Sequence, residues 1–435
     1  MKKPVMISLI ASLIVVAMLG VGLVSAQDPV TLVYWSMWNE TEGQARVIQH
    51  AIANFEAANP DINIQAVWNG RQNQTLVRTA ISGGGQTIDL MDQDADQIAG
   101  GLMQEGFALP LNDYLQQPAL DHEEALADVF LPSTLDMFAL DGNIYQIPYI
   151  YNTVQFWYDK RVFEEAGITV PATWDELLAA CDTLNEAGYA PIAAEGNEPG
   201  YSAFYLTELL ARMKGPGWLR EAAADTTGEL WRDPAVLDAA QKTRLLWDNN
   251  CVPPETLGYI WPQGQNTLAF GTAAMELVGS WLPVELQNAT DPDFQWGGFS
   301  FPAIEGGAGS TTDVYALLLA FMVNKDTAHP DEAFEFLRYI MSDEIQQQFT
   351  DESLVGVTNK YIEWNPIVAD AYTVALSATS TYGDVDNVAS LYSEYLNTVL
   401  YPTYVSLWQG GITPEEYVEQ MATQTAQYWA DHPQE

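Results

Sequence analysis

The chain has 435 residues and sets 16 Lys and Arg against 58 Asp and Glu, for a formal charge of −42. That balance excludes nucleic acid and anionic lipid as partners, because each needs clustered basic side chains. Four scattered histidines and two cysteines show no metal-ligand spacing, so neither a metal nor a cofactor is expected.

Lys2 and Lys3, the apolar run from Val5 to Leu23 and the small residues Val24-Ser25-Ala26 predict a secretory signal over residues 1–26. An uncleaved anchor is the alternative for so long an apolar run. Cleavage removes two lysines and no acid, moving the charge from −42 to −44. The remainder is long enough for two cores.

Val30 to Trp35, rich in β-branched and aromatic side chains, reads as a strand. Asn39 followed by Glu42 predicts a capped helix start, with Ile48, Ile52 and Phe55 on its inner face and Asn59-Pro60 at its end. Ile62, Ile64 and Ala66 alternate as a second strand. A helix from Gln74 to Ser82 stops at Gly83-Gly84-Gly85, a third strand spans Thr87 to Met91, and a third helix Ala95 to Glu105. Alternating strands and helices predict a parallel sheet with helices on its faces. The rhythm restarts with a strand at Thr153 to Tyr158 and a short helix at Lys160 to Ala166. Thr173 and Glu176 then form a capping box opening a helix with Leu177, Leu178, Cys181 and Leu184 inward. Strands follow at Tyr189 to Ala194, Met275 to Val278 and Tyr315 to Val323. A helix opened by Pro330 carries Phe334, Leu337, Met341 and Ile345, and Thr413-Pro414-Glu415-Glu416 caps the last helix. Export permits a bridge between Cys181 and Cys251, and bridged and separately buried cysteines are both open readings.

Catalytic motifs are missing from the sequence. No glycine-flanked elbow serine occurs, and Ser82-Gly83-Gly84-Gly85 lacks the lysine of a phosphate loop. With 58 acids, spacing does not separate a glycosidase pair from surface carboxylates. Aromatic residues beside planar polar ones do recur after strands: Trp35-Ser36-Met37-Trp38-Asn39-Glu40, Asp92-Gln93-Asp94, Asn197-Glu198-Pro199-Gly200-Tyr201 and Gly279-Ser280-Trp281. Ligands of open α/β sheets bind outside the carboxyl ends of strands. Rings cover the C–H faces of a sugar, while carboxylates and amides take its hydroxyls. Each aromatic or acid also has a plainer use. Trp35 fits a core plug as well as a ligand contact, Asp92 and Asp94 fit helix caps, Glu198 fits a turn, and Tyr149 and Tyr151 fit hinge packing.

Several motifs in order resemble one family. Asp141-Gly142-Asn143-Ile144-Tyr145-Gln146-Ile147-Pro148, Phe156-Trp157-Tyr158-Asp159-Lys160 with Phe163 and Ala166-Gly167-Ile168, and Pro171-Ala172-Thr173-Trp174-Asp175-Glu176-Leu177 are three. Phe270-Gly271-Thr272-Ala273-Ala274-Met275 with Gly279-Ser280-Trp281, and His329-Pro330-Asp331-Glu332-Ala333-Phe334-Glu335-Phe336-Leu337, are two more. Together they resemble the extracellular solute-binding proteins of carbohydrate importers, the maltose-binding-protein-like family. The chain departs at Asp159, where the family often has Asn, and at Thr272, where it often has Lys.

The resemblance implies an α/β, periplasmic-binding-protein-like fold of type II, with two α/β lobes around a ligand cleft and a hinge of three crossings. The crossings fall near Pro148, near Thr312 to Tyr315 and near Asn365 to Val368. The lobes would be residues 27–147 plus 313–366 and residues 148–312 plus 367–435. By position, Trp38, Asn39, Glu40, Gln93, Asp94, Glu198, Tyr201, Trp281, Tyr382 and Asp384 join Trp35 as candidate ligand contacts. The expected protein is a monomeric, non-enzymatic receptor, secreted to the periplasm or cell surface. It would hold a mono- or oligosaccharide and deliver it to permease subunits of an ATP-driven importer. The rivals are a receptor of the same fold for a non-sugar such as a polyamine, and a secreted polysaccharide-cleaving enzyme.

Overall fold

A computed structural model describes residues 29–84 and 88–433, so the predicted signal and Thr87 lie outside the described residues. The described residues form nine strands: β1 Val30–Ser36, β2 Ile62–Trp68, β3 Leu90–Asp94, β4 Ile147–Asp159, β5 Ala190–Ala193, β6 Ala273–Gly279, β7 Trp296–Phe299, β8 Asp313–Val323 and β9 Ser380–Tyr382. Their order is β2-β1-β3-β8-β4-β6-β5, with β7 on β4 and β9 on β8. β1 runs parallel to β2 and β3, as strand–helix–strand connections require, whereas β8 is antiparallel to β3 and β4.

The long β4 organises the molecule. Its first part, Ile147 to Thr153, pairs with β8, and its second, Val154 to Asp159, pairs with β6 and β7. One strand therefore belongs to the sheets of both lobes. All thirteen of its residues are buried, which explains a run of aromatic and β-branched side chains without polar alternation. Pro148, which has no N–H to give, sits at the register shift between Pro148 and Ile150. β8 makes the second crossing, pairing with β9 at Asp313 to Tyr315 and with β3 at its far end. For the third, Tyr151 N–H donates to Gly356 O (2.9 Å), and further along Asp370 accepts from Gly298 N–H in β7 (2.9 Å).

Several boundaries differ from the sequence reading. The third strand lies toward Asp94 rather than Thr87, because Asp92, Gln93 and Asp94 pair with Phe321, Ala320 and Leu319 of β8. Gln93 and Asp94 are thus strand residues, not loop. The helix after it is regular only over Ala95–Ile98 and continues as a wider π-turn, Ala99–Met103. The helix opened by Pro330 stops at Ile340, and Ile345 belongs to a second one, Asp343–Ser353. The first helix starts at Gly43, with Glu42 Oε2 accepting from Asn39 N–H (2.6 Å). The capping boxes at Thr173 and Thr413 are formed, each with its reciprocal glutamate. Leu178 is only half-buried, while Leu177, Cys181 and Leu184 face inward. Cys181 and Cys251 are bridged, with Cα atoms 5.2 Å apart. Cys251 O in turn accepts from Ile192 N–H of β5 (2.9 Å), so the bridge ties a surface helix to the sheet.

Candidate functional site

A cleft of about 980 Å³ opens between the lobes. Trp38, Arg71, Asp94 and Asp96 lie on one wall, and Glu198, Tyr201, Trp281, Glu285, Asp384 and Tyr401 on the other. Residues of the crossing strands, among them Ile150, Asn152 and Leu317 to Leu319, form its floor. The cleft thus lies where the strand ends of both lobes converge.

On the first wall, Trp38 is held from behind. Its indole N–H donates to Tyr149 OH (2.8 Å), which donates to Asp92 Oδ2 (2.8 Å). Asp92 Oδ1 accepts from Tyr34 OH (2.8 Å) and from Met37 N–H (3.2 Å). Burial raises the Asp92 carboxyl above its ordinary range, and these three donors to Asp92 work against that shift. In front, the Arg71 guanidinium lies 4.8 Å from the centroid of the Trp38 ring and forks onto both oxygens of Glu42 (2.9 and 3.0 Å). A ring locked on two sides loses little entropy on meeting a ligand.

On the opposite wall the motif Gly279-Ser280-Trp281 has a steric reason. A methyl group on Gly279 would overlap the Trp281 ring, so only glycine lets that ring fold back over the end of β6. Ser280 N–H donates to Thr153 O (2.9 Å), and Ser280 Oγ accepts from Thr153 N–H and donates to Asn152 Oδ1 (both 3.2 Å). The floor residue Asn152 is thereby fixed to the Trp281 wall. Tyr201 stands with its ring centroid 6.2 Å from that of Trp281, giving two adjacent flat surfaces.

Three aspartates meet across the cleft. Asp384 N–H donates to Asp96 Oδ1 (3.3 Å), and Asp384 Oδ1 accepts from Tyr315 OH (2.5 Å). Asp384 heads a turn in which Val385, Asp386 and Asn387 all have left-handed backbones, with φ of 47°, 56° and 66°. Such residues cost about 1–3 kcal/mol each and persist only when overdetermined. Here Tyr315 OH accepts from Val385 N–H (2.8 Å), Asn387 Oδ1 from Gly383 N–H (3.1 Å), and Asp386 from the backbone of Gly217, Leu219 and Arg220 (2.7, 3.0 and 3.3 Å). Burial pushes Asp94 up to about 6, against the pull of Arg71. Burial also raises Asp96, and the neighbouring Asp384 and Asp94 charges add to it. Beyond Asp96 and Asp384 the lobes touch again, where Gln104 Nε2 donates to Ser390 O (3.0 Å) and a Cβ on Gly100 would come within 2.9 Å of that same oxygen. No group of three or more His, Cys, Asp or Glu suited to a metal ion occurs among the described residues.

Of the residues singled out from the sequence, Trp38, Asp94, Glu198, Tyr201, Trp281 and Asp384 share the cleft, and Trp35, Asn39, Glu40, Gln93 and Tyr382 do not line it. Trp35 is packed in β1 between Val67 and Met91 in register. Asn39 and Glu40 are exposed on the turn before the first helix. Gln93 is buried, and its Nε2 donates to Gln97 Oε1 (2.7 Å) and Asp94 Oδ2 (3.3 Å). Tyr382 stacks in the interior on Tyr315, its pairing partner, with centroids 5.2 Å apart. Arg71, Asp96, Asn152, Glu285 and Tyr401 line the cleft without having been singled out. Each arrives through a helix or crossing strand rather than a strand-end loop, and none carried an aromatic–amide signal.

Comparison with known proteins agrees with this architecture. Residues 38–347 match the profile of bacterial extracellular solute-binding proteins. The multiple sugar-binding protein of Streptococcus mutans is 24% identical over 335 residues, 75% of this chain and 74% of that protein. The diacetylchitobiose binding protein NgcE of Streptomyces coelicolor is 24% identical over 309 residues, 66% of this chain and 61% of that one. A solved chitin oligosaccharide binding protein superposes with a TM-score of 0.74 at 25% identity, covering 92% of this chain and 99% of that one. With two lobes joined by three crossings and a profile match over most of its length, the chain belongs to the family of bacterial extracellular solute-binding proteins.

Proposed function

We propose that this protein is the extracytoplasmic receptor of a carbohydrate importer, binding a neutral sugar between its lobes and passing it unaltered to a permease. The observation that carries the reading is the pairing of rings with carboxylates on facing walls and an amide on the floor between them: Trp38, Tyr201 and Trp281 with Asp94, Asp384 and Asn152. Rings cover the ligand's C–H faces while the oxygens accept from its hydroxyls. Each such bond nets about 1 kcal/mol, and micromolar binding requires roughly 8 kcal/mol, so both walls must engage at once. Closure about β4, β8 and the third crossing accomplishes that. On this reading the lobes are 27–147 with 313–366 and 148–312 with 367–435, and the receptor acts as a monomer in the periplasm or at the cell surface. The sugar-binding names of the relatives support the reading.

The test is a thermal-shift screen against neutral mono- and oligosaccharides. At a ligand concentration about a hundred times Kd, binding stabilises the fold by about 2.7 kcal/mol, a rise of several degrees. No rise across a broad library defeats the proposal. The acidic surplus of the cleft favours a second reading, an ammonium-bearing ligand: Arg71 is paired with Glu42, and no basic side chain is ion-paired to Asp94, Asp96 or Asp384 among the described residues. Affinity that falls steeply with added salt would select it over the neutral sugar.

A further inference from the structure

Outside the cleft lining, one turn holds several large apolar side chains out to solvent. The turn before the helix Gln263–Ala269 exposes Leu257, Ile260 and Trp261 by 39%, 61% and 50%. A cluster of exposed apolar side chains on so acidic a protein marks a contact surface. The turn that presents it is tied down: Tyr259 N–H donates to Thr256 O (2.9 Å), Gln263 N–H to Ile260 O (2.8 Å) and Ile260 N–H to Gln263 Oε1 (3.0 Å). It is also continuous with the cleft on two sides. Asn197 Nδ2 donates to the carbonyls of Leu257 and Tyr259 (both 3.4 Å), and the next residue, Glu198, lines the cleft. Gln265 Nε2 donates to Glu285 Oε2 (3.1 Å), and Glu285 lines the cleft as well.

We infer that Trp261 is an outer stacking platform for a sugar ring projecting from the cleft, which makes the site one for oligosaccharides rather than monosaccharides. The inference rests on the carbohydrate reading above. Tyr201 and Trp281 serve the inner rings, and Trp261, on a segment hydrogen-bonded to Asn197 beside Glu198 and, through Gln265, to Glu285 of the same wall, meets the next one out. A cleft of about 980 Å³ lies at the upper end of the roughly 300–1,000 Å³ usual for small-ligand sites, as a chain of several rings requires. A half-exposed indole leaves apolar area free for a C–H surface while the sugar's hydroxyl rim stays in water, and its two side-chain torsions cost little to fix.

Isothermal titration of the unaltered chain, Trp261→Ala and Trp261→Phe with chito-, xylo- and malto-oligosaccharides, from disaccharide to hexasaccharide, tests this. The unaltered protein should gain affinity with length in one series. Trp261→Ala should lose up to about tenfold on the longer members and nothing on the shortest, and Trp261→Phe should recover most of the loss. Equal weakening at every length, or none, overturns the inference. So does unchanged affinity with lost uptake in cells, which would make the patch a permease contact. If the unaltered protein binds short and long members alike, this inference alone fails; if it binds no member of any series, the carbohydrate reading fails and takes this inference with it.

Discussion

Asp92 sets the position of a ring it never touches. It faces away from the cleft and reaches Trp38 only through Tyr149, yet it accepts three hydrogen bonds in a dry interior. Replacing it with alanine strands those donors, and an unpaired buried group costs about 1–3 kcal/mol. Asp92→Ala is therefore expected to lose about 3 kcal/mol in urea denaturation and to weaken ligand binding by freeing the Trp38 ring. Asp94 makes a prediction of opposite sign. Its carboxyl is raised from 3.8 to about 6, so the folded state holds this proton more tightly than the unfolded chain does. Stability from this group accordingly falls as pH rises through about 4 to 6, and the charged form opposes folding above that window. Without ligand, the melting temperature should be higher at about pH 5 than at neutral pH. Asp94→Asn should raise the neutral value and flatten the slope, which circular dichroism melts at the two pH values check. Asp386, also raised to about 6, keeps its own share of the slope.

At the level of elements, the best-read features were those whose cause is local. The boxes at Thr173 and Thr413 are set by a hydroxyl and a glutamate three residues apart, and they form as read. The third strand runs toward Asp94 rather than Thr87 because its partner, β8, lies more than two hundred residues downstream, and pairing with Leu319 to Val323 decides its position. The same distinction governs the cleft. Gly279-Ser280-Trp281 is legible as a ring just past a strand end, and in the fold the glycine and the ring also act on each other at short range. Asp96 lines the cleft and meets Asp384 there, and nothing near Asp96 in sequence announces that contact. The family resemblance assigns Tyr382 to the cleft by position, but in β9 its side chain turns inward onto Tyr315. The cysteines left two readings open because a 70-residue separation fixes no distance, whereas their Cα atoms lie 5.2 Å apart in the fold. Closing a loop of that length restricts the unfolded chain by about 4 kcal/mol. The Cys181→Ser, Cys251→Ser double variant should show that loss in its urea midpoint, with ligand affinity little changed, since neither cysteine lines the cleft.

For the whole molecule, the charge of −42 makes self-repulsion a general tax on compactness, so moderate salt should stabilise the free protein without any specific ion site. The shared strand has a further consequence. Chains with two cores often come apart in stages, each half at its own temperature. Here β4 is hydrogen-bonded into one sheet as far as Thr153 and into the other from Val154, with no intervening residue to act as a fuse. Unzipping either half frays the partner's central rung. A scanning calorimeter should record one endotherm with matching van't Hoff and calorimetric enthalpies, and two resolved peaks would show that the seam yields.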